Sequence, residues 1–266
     1  MATKVLSPKE SGEVIAKLAK HVNVNPVGIK YLARLVAKEI LKGTLSVGGF
    51  SQFELHPSSG DDTTPNDLFF IDTLNFCFWA PTEEGPKWTV SFNAKSYTGY
   101  FSLCAAMRRA KQEGHDISSP HFFLSMTLEN LREIFRSDST VEIPMLQERL
   151  DCLHEVSSIL INDFDGNFKN CIEQSEKSAM KLLSLIVNKF PCFRDEAHYK
   201  GNRVALYKRA QILVGDIWAC YQGTGLGEFH DIDKLTMFAD YRVPQVLIRF
   251  GVMSYSDELL EKLKRG

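Results

Sequence analysis

Helix-start signals recur along this chain, and they constrain its fold more than anything else in the sequence. Ser7-Pro8-Lys9-Glu10 joins a capping box to a proline at the first helical position, and Val14, Ile15 and Leu18 follow at helical spacing. Asn25-Pro26 repeats the signal, with Ile29, Leu32, Leu35, Val36 and Ile40 on one stripe before Gly43. From Tyr100 onward the pattern predicts helices over 101–110, 127–136, 144–164, 167–190 and 204–221, with Gly166 and Gly223 as stops. Pro244 sits in the first turn of another, from about Asp240 to Phe250, and Ser256 caps a last short one.

The texture differs between Val47 and Phe92. Prolines 57, 65, 81 and 86, scattered glycines and short aromatic runs predict loops around a small antiparallel sheet, with 68–79 and 88–92 as strands. There is no internal repeat and no low-complexity linker. The expectation is a mainly α fold, one domain over 1–266, with a β-containing segment at about 47–95 and a contact-rich boundary near 95.

Composition narrows the function classes. The 31 Lys and Arg balance 33 Asp and Glu for a formal charge of −2, whereas domains that coat phosphate backbones read strongly basic. A small phosphorylated ligand needs only one or two cations. The six cysteines form no C-x-x-C pair and the histidines no H-E-x-x-H, so no metal and no cofactor are expected, and free thiols in a reducing, cytoplasmic compartment are. No signal peptide is recognisable at Met1–Glu10, and no apolar run approaches the roughly 20 residues of a membrane helix. P-loop, G-x-S-x-G and kinase signatures are absent, and Gly223-x-Gly225-x-Gly227 follows a helix rather than a strand.

Three segments could carry chemistry. In Thr236-Met237-Phe238-Ala239-Asp240-Tyr241-Arg242-Val243-Pro244, Asp240 reads first as a helix cap. The same geometry suits catalysis, because a carboxylate fixed at a helix N-terminus keeps its charge and can face a cationic, oxocarbenium-like transition state. In Tyr207-Lys208-Arg209-Ala210-Gln211 the cationic pair is either a solvated face or a phosphate clamp, and Asp216 follows Lys208 by slightly over two helical turns. Asp72-Thr73-Leu74-Asn75-Phe76-Cys77-Phe78-Trp79 is either plain core or a base-binding slot with aromatic faces and polar edges. Tyr97-Thr98-Gly99-Tyr100-Phe101 is a weaker companion.

Those strings, Asp72 to Trp79, Tyr97 to Cys104, Tyr207 to Ile212 and Thr236 to Gln245, resemble the queuosine salvage protein family of queuosine 5′-phosphate N-glycosylase/hydrolases, over about Leu6 to Leu263. The resemblance implies a fold like the helix-hairpin-helix DNA glycosylases and a free nucleotide, queuosine 5′-monophosphate, as substrate. Queuine and ribose 5-phosphate would be the products, with no membrane partner and no direct nucleic-acid binding. It implies Asp240 as the catalytic carboxylate, Lys208 with Tyr241 or Arg242 on the 5′-phosphate, Asp72, Asn75, Phe76 and Trp79 around the deazaguanine base, and Asp216 behind Lys208 or on the ribose. The family pattern continues past Lys264 with a helical segment bearing a Leu-Trp-Asp-Tyr-type motif, so the chain is expected to be short at its C-terminus. Two rival readings stay open: an N-ribosyl hydrolase for another modified nucleotide, and a non-catalytic nucleotide- or tRNA-binding form.

Overall fold

A computed structural model describes residues 4–46, 48–57, 60–79 and 85–265. The chain runs through α1 (Pro8–Leu18), β1 (Val22–Val24), α2 (Pro26–Leu41), α3 (Gly48–Ser51), α4 (Thr64–Thr73), β2 (Thr89–Phe92), β3 (Lys95–Thr98), α5 (Tyr100–Gln112), α6 (Pro120–Leu124) and α7 (Leu128–Ile134). It continues through α8 (Leu146–Phe164), α9 (Phe168–Gln174), α10 (Ala179–Lys189), β4 (Glu196–Tyr199), β5 (Asn202–Ala205), α11 (Lys208–Cys220), α12 (Val243–Arg249), β6 (Met253–Tyr255) and α13 (Asp257–Lys264). The architecture is mainly α with a small antiparallel β portion: three two-stranded ribbons, β1–β6, β2–β3 and β4–β5, among the described residues.

Two compact units divide the chain. One comprises Met1–Gly49, Arg194–Lys208 and Thr236–Gly266; the other comprises Phe50–Phe193 and Arg209–Leu235. In the first, Ser7 and Glu10 complete the capping box of α1, as the sequence predicts. Further along α1, the Ser11 hydroxyl donates to the Leu6 carbonyl at 3.2 Å and accepts from the Ala205 N–H at 2.9 Å, tying the helix to β5. Lys200 and Gly201 both have positive φ at the β4–β5 turn, the conformation that matches the twist of a tight hairpin. On α2, a Cβ added to Gly28 would lie 2.0 Å from the Gly251 carbonyl oxygen. Only glycine permits that approach. Asn25 uses it, donating from Nδ2 to the Gly251 carbonyl at 3.0 Å and from its N–H to the Val252 carbonyl at 2.8 Å.

The second unit is built around α4, which is buried on every side. Phe69 stacks on Phe168 at 4.3 Å and meets Phe190 at 4.9 Å, while Phe70 packs on Phe123 at 4.4 Å. Each such ring stabilises the fold by roughly 1.5–3 kcal/mol through burial. Two of the polar side chains on this submerged helix are answered in full by hydrogen bonds or ion pairs. The Asn66 amide donates to the Ser118 and Gly166 carbonyls and accepts from the Phe168 N–H, and Asp67 accepts from Ser118 and Lys111.

Two expectations about elements are corrected here. The expected strand over 68–79 is the second half of α4 followed by an irregular stretch. A helix buried all round loses its apolar stripe, so a short aromatic-rich run does not reveal its period. The expected helix over 167–190 is two helices, α9 and α10, broken at 175–178, where Glu176 and Lys177 take positive φ with no glycine or proline to announce it. The expected strand over 88–92 is present as β2, turned into β3 by Asn93 and Ala94, again both at positive φ.

Candidate functional site

Asp240 stands before α12, as the sequence predicts. Its Oδ1 accepts the N–H of Arg242 at 2.8 Å and of Val243 at 2.9 Å, so one carboxylate oxygen fixes the helix start. Its Oδ2 accepts no hydrogen bond among the described residues, and the side chain is half-buried. A fixed carboxylate with one unengaged oxygen can face a developing positive charge without having to reorganise. Tyr241 and Arg242 are exposed beside it, the guanidinium 5.5 Å from the Tyr241 ring centre and 3.2 Å from Gln245 Oε1.

Lys208 belongs to the same unit and opens α11. Its backbone N–H donates to Asp195 Oδ2 at 3.0 Å, so the start of this helix is also capped by a carboxylate, one supplied from just before β4. The preceding Tyr207, at positive φ, donates its hydroxyl to Glu196 at 2.9 Å. Burial, with Glu196 second, pushes that phenol up to about 12.

The remaining candidates, Asp72, Asn75, Phe76, Trp79 and Asp216, lie in the other unit. Asp72, in the last turn of α4, is fully buried and accepts from Asn75 Nδ2 at 3.2 Å. Asp72 and Asp216 both lie within electrostatic reach of Tyr100 and Cys104 on α5. Burial first, and then Cys104, Asp216 and Asp72, hold the Tyr100 phenol well above its ordinary range. Burial and the same two carboxylates raise the Cys104 thiol. A phenol that keeps its proton can donate a hydrogen bond and resist giving the proton up. Its hydroxyl lies 3.4 Å from His56 Nε2. His56 is stacked on Phe50 at 3.9 Å with its Nδ1 3.0 Å from the Phe50 carbonyl, and burial lowers its pKa, so the ring is neutral and Nε2 is the acceptor for Tyr100.

Phe76 sits between two guanidinium groups, with Arg149 at 4.4 Å and Arg209 at 4.8 Å from its ring centre. Arg149 is fully buried, and its nitrogens donate to the carbonyls of Pro144, Leu74, Phe76 and Cys77. Arg209 donates to the carbonyls of Thr73 and Cys192. These two cations hold the irregular stretch after α4 in place. Trp79, beyond it, is 60% exposed. Sequence reasoning did not single out Arg149 or His56, and it named Tyr100 only within the weaker Tyr97-Thr98-Gly99-Tyr100-Phe101 segment. Arg149 reads as an ordinary helix-face cation, and only the tertiary fold shows it facing inward.

Asp231, which the sequence places near the Asp240 segment, is an anchor inside the second unit. It is 4% exposed and accepts from Ser178 Oγ at 2.8 Å and from the Ala179 N–H at 2.6 Å, holding the start of α10. Burial works against its charge, but the hydrogen bonds from Ser178, Ala179 and Met180 outweigh it and leave its pKa below the ordinary range. A carboxyl with a lower pKa folded than unfolded contributes stability that is complete above the unfolded pKa and disappears as pH falls through the folded value. Asp231→Asn is therefore expected to cost about 1–3 kcal/mol near neutral pH. The gap from wild type should close as pH drops below about 4, near the carboxylate range. Urea unfolding at the two pH values checks both points.

A cavity of about 190 Å³ opens between α7 and the stretch leading into α8, lined by Arg132, Phe135, Arg136, Thr140, Glu142 and Leu146. None of the sequence candidates lines it. Among the described residues no group of three or more His, Cys, Asp or Glu side chains could hold a metal ion, and no helix is long and apolar enough to cross a membrane.

Fold and side chains together define a mainly helical protein with a capped, half-engaged carboxylate and a phenol under the influence of two further carboxylates. Residues 55–266 match the family described as queuosine salvage protein. The chain is 44% identical over 263 residues to a Bos taurus protein named queuosine 5′-phosphate N-glycosylase/hydrolase, covering 98% of this chain and 77% of that one. Relatives of the same name from Nematostella vectensis and Schizosaccharomyces pombe are 42% and 34% identical, over 100% and 97% of this chain and 76% and 77% of theirs. The chain belongs to the queuosine salvage protein family.

Proposed function

We propose that this chain hydrolyses the N-glycosidic bond of queuosine 5′-phosphate, releasing queuine and ribose 5-phosphate for queuine salvage into tRNA modification. The observation that carries this reading is the match along nearly the whole chain to relatives bearing that name. The chemistry supports it. As the bond from the anomeric carbon to the base nitrogen lengthens, positive charge spreads over that carbon and the ring oxygen. The unengaged oxygen of Asp240 is suited to stabilise this charge and to align the water that attacks. A carbon–oxygen bond replaces the carbon–nitrogen bond, and a proton from water ends on the departing base. Lys208, with Tyr241 or Arg242, takes the 5′-phosphate, whose binding energy positions the sugar. Asp72, Asn75, Phe76 and Trp79 serve the deazaguanine base, and Asp216 the ribose or Lys208. We infer in addition a likeness to the helix-hairpin-helix DNA glycosylase fold, a cytoplasmic setting, and a free nucleotide rather than a nucleic acid as the ligand.

The test is direct. The purified chain is incubated with queuosine 5′-phosphate, queuosine and a panel of other nucleoside monophosphates, and free base is measured by liquid chromatography. Release of queuine from the 5′-phosphate, faster than from the nucleoside and without release from the panel, is the expected result. Release of another base from the panel, with queuosine 5′-phosphate left intact, would replace this reading with an N-ribosyl hydrolase of different specificity. No release at all would leave a non-catalytic binding role.

A further inference from the structure

The six cysteines separate into two groups of three. Cys104, Cys171 and Cys220 are buried, and burial raises each of their thiols. Cys77, Cys152 and Cys192 are partly accessible, and they gather around the two guanidinium groups that hold the stretch after α4. Within this second group two thiols touch. The side chains of Cys152, on α8, and Cys192, in the short turn Pro191–Phe193, share a hydrogen bond, and Arg209 also bonds to Cys152.

The turn is held against α8 at this point by more than the sulfurs. The Cys192 N–H donates to Glu155 Oε1 at 2.8 Å, and Glu155 lies one turn beyond Cys152 on the same helix face. The Cys192 carbonyl accepts from Arg209. Arg149, Cys152 and Glu155 thus fall three residues apart along α8. In order they grip the carbonyls of Leu74, Phe76 and Cys77, the Cys192 thiol, and the Cys192 backbone. The proposed function uses neither sulfur.

We propose that Cys152 and Cys192 form a peroxide-sensitive dithiol, a modification site that closes to a disulfide between α8 and the Pro191–Phe193 turn. Cys152 is the attacking sulfur. The hydrogen bond from Cys192, with Arg209 alongside, lowers its thiol below the ordinary range and favours the thiolate at this sulfur. A thiolate next to a cation and partly accessible to solvent is the reactive form of cysteine. The Cys152 sulfur attacks one oxygen of hydrogen peroxide, forming a sulfenic acid and releasing hydroxide, which takes up a proton to become water. The Cys192 sulfur then attacks the Cys152 sulfur; the sulfur–sulfur bond forms and the hydroxyl leaves as a second water. Two thiols lose two electrons and two protons, and one peroxide becomes two waters. Because Arg209 spans the Cys192 and Thr73 carbonyls and lies over Phe76, the new bond acts next to the stretch that carries Asn75 and Phe76.

The experiment uses the full chain in its native state. It is treated with a small excess of hydrogen peroxide, the remaining thiols are alkylated, and the digest is read by mass spectrometry. A Cys152–Cys192 linked peptide, lighter by two hydrogens than the two free peptides and lost on dithiothreitol treatment, is expected before any loss of label from the other four cysteines. In the C192S variant Cys152 should be trapped by dimedone as the sulfenic acid, while in C152S Cys192 should stay a thiol under the same dose. A link from Cys152 to Cys77, or full alkylation of Cys152 and Cys192 after Cys77 has been oxidised, overturns the proposal. Both outcomes are read on the wild-type chain, so neither depends on a variant folding or on turnover of any substrate.

Discussion

Asp240→Asn is expected to lower the release of queuine from queuosine 5′-phosphate by at least about 10²-fold, the scale seen when one preorganised electrostatic partner is removed from a transition state. The same change should leave stability within about 0.5 kcal/mol of wild type. Both halves follow from how the two carboxylate oxygens are used. Oδ1 receives the N–H groups of Arg242 and Val243, and the asparagine carbonyl can take the same two bonds. Asparagine is as good at a helix start as aspartate, so α12 keeps its cap. What the variant loses is the negative charge on the oxygen that makes no hydrogen bond among the described residues. Asp240→Ala removes cap and charge together and should lower both turnover and the unfolding midpoint. Measuring kcat, KM and thermal unfolding on the three proteins separates the roles. If Asp240→Asn turns over like wild type while Asp240→Ala is merely less stable, Asp240 is a cap and nothing more.

The cap was legible because it is local. An aspartate followed by two residues and a helix with proline in its first turn is a pattern of adjacent positions, as are the capping box at Ser7 and the cap at Ser256. Such signals act through the backbone of their own segment, so the sequence carries them in full. The influence of two carboxylates on Tyr100 is different. Asp72 and Asp216 stand far apart in the sequence, and nothing in either neighbourhood says that both act on the Tyr100 phenol. α4 hid its own type for a related reason. Its residues meet protein on every side, so the polar face that would mark a helical period is missing, and the aromatic alternation of 68–79 imitates a strand. The β1–β6 ribbon pairs Val22 with Tyr255, a contact that only the folded chain creates. Where a residue's role depends on the far end of the chain, spacing along the sequence does not report it.

Arg149 is the sharpest case, and replacing it should have the largest effect on stability. Arg149→Met is expected to destabilise the protein by about 3 kcal/mol or more, the size associated with breaking a buried hydrogen-bond network. For a unit of this size that is a fall of roughly 6–12 °C in unfolding midpoint. Burial already costs this guanidinium, lowering its pKa to about 10. It is held there by four carbonyls, those of Pro144 at 2.9 Å, Leu74, Phe76 at 2.5 Å and Cys77 at 3.0 Å, and by the face of Phe76. Methionine fills the volume and answers none of those oxygens, of which the Leu74 carbonyl belongs to a fully buried residue. Arg149→Lys keeps the charge but not the planar fork, and one ammonium cannot reach carbonyls on both Pro144 and the 74–77 stretch, so it should restore little. The stretch from Leu74 to Trp79 is the part that loses its fastening. Limited proteolysis should cut there in Arg149→Met before the rest of the unit unfolds, and queuosine 5′-phosphate should bind more weakly if Asn75 and Phe76 meet its base. A variant that unfolds at the wild-type midpoint with this stretch still protected would show that the four carbonyls are satisfied without the guanidinium.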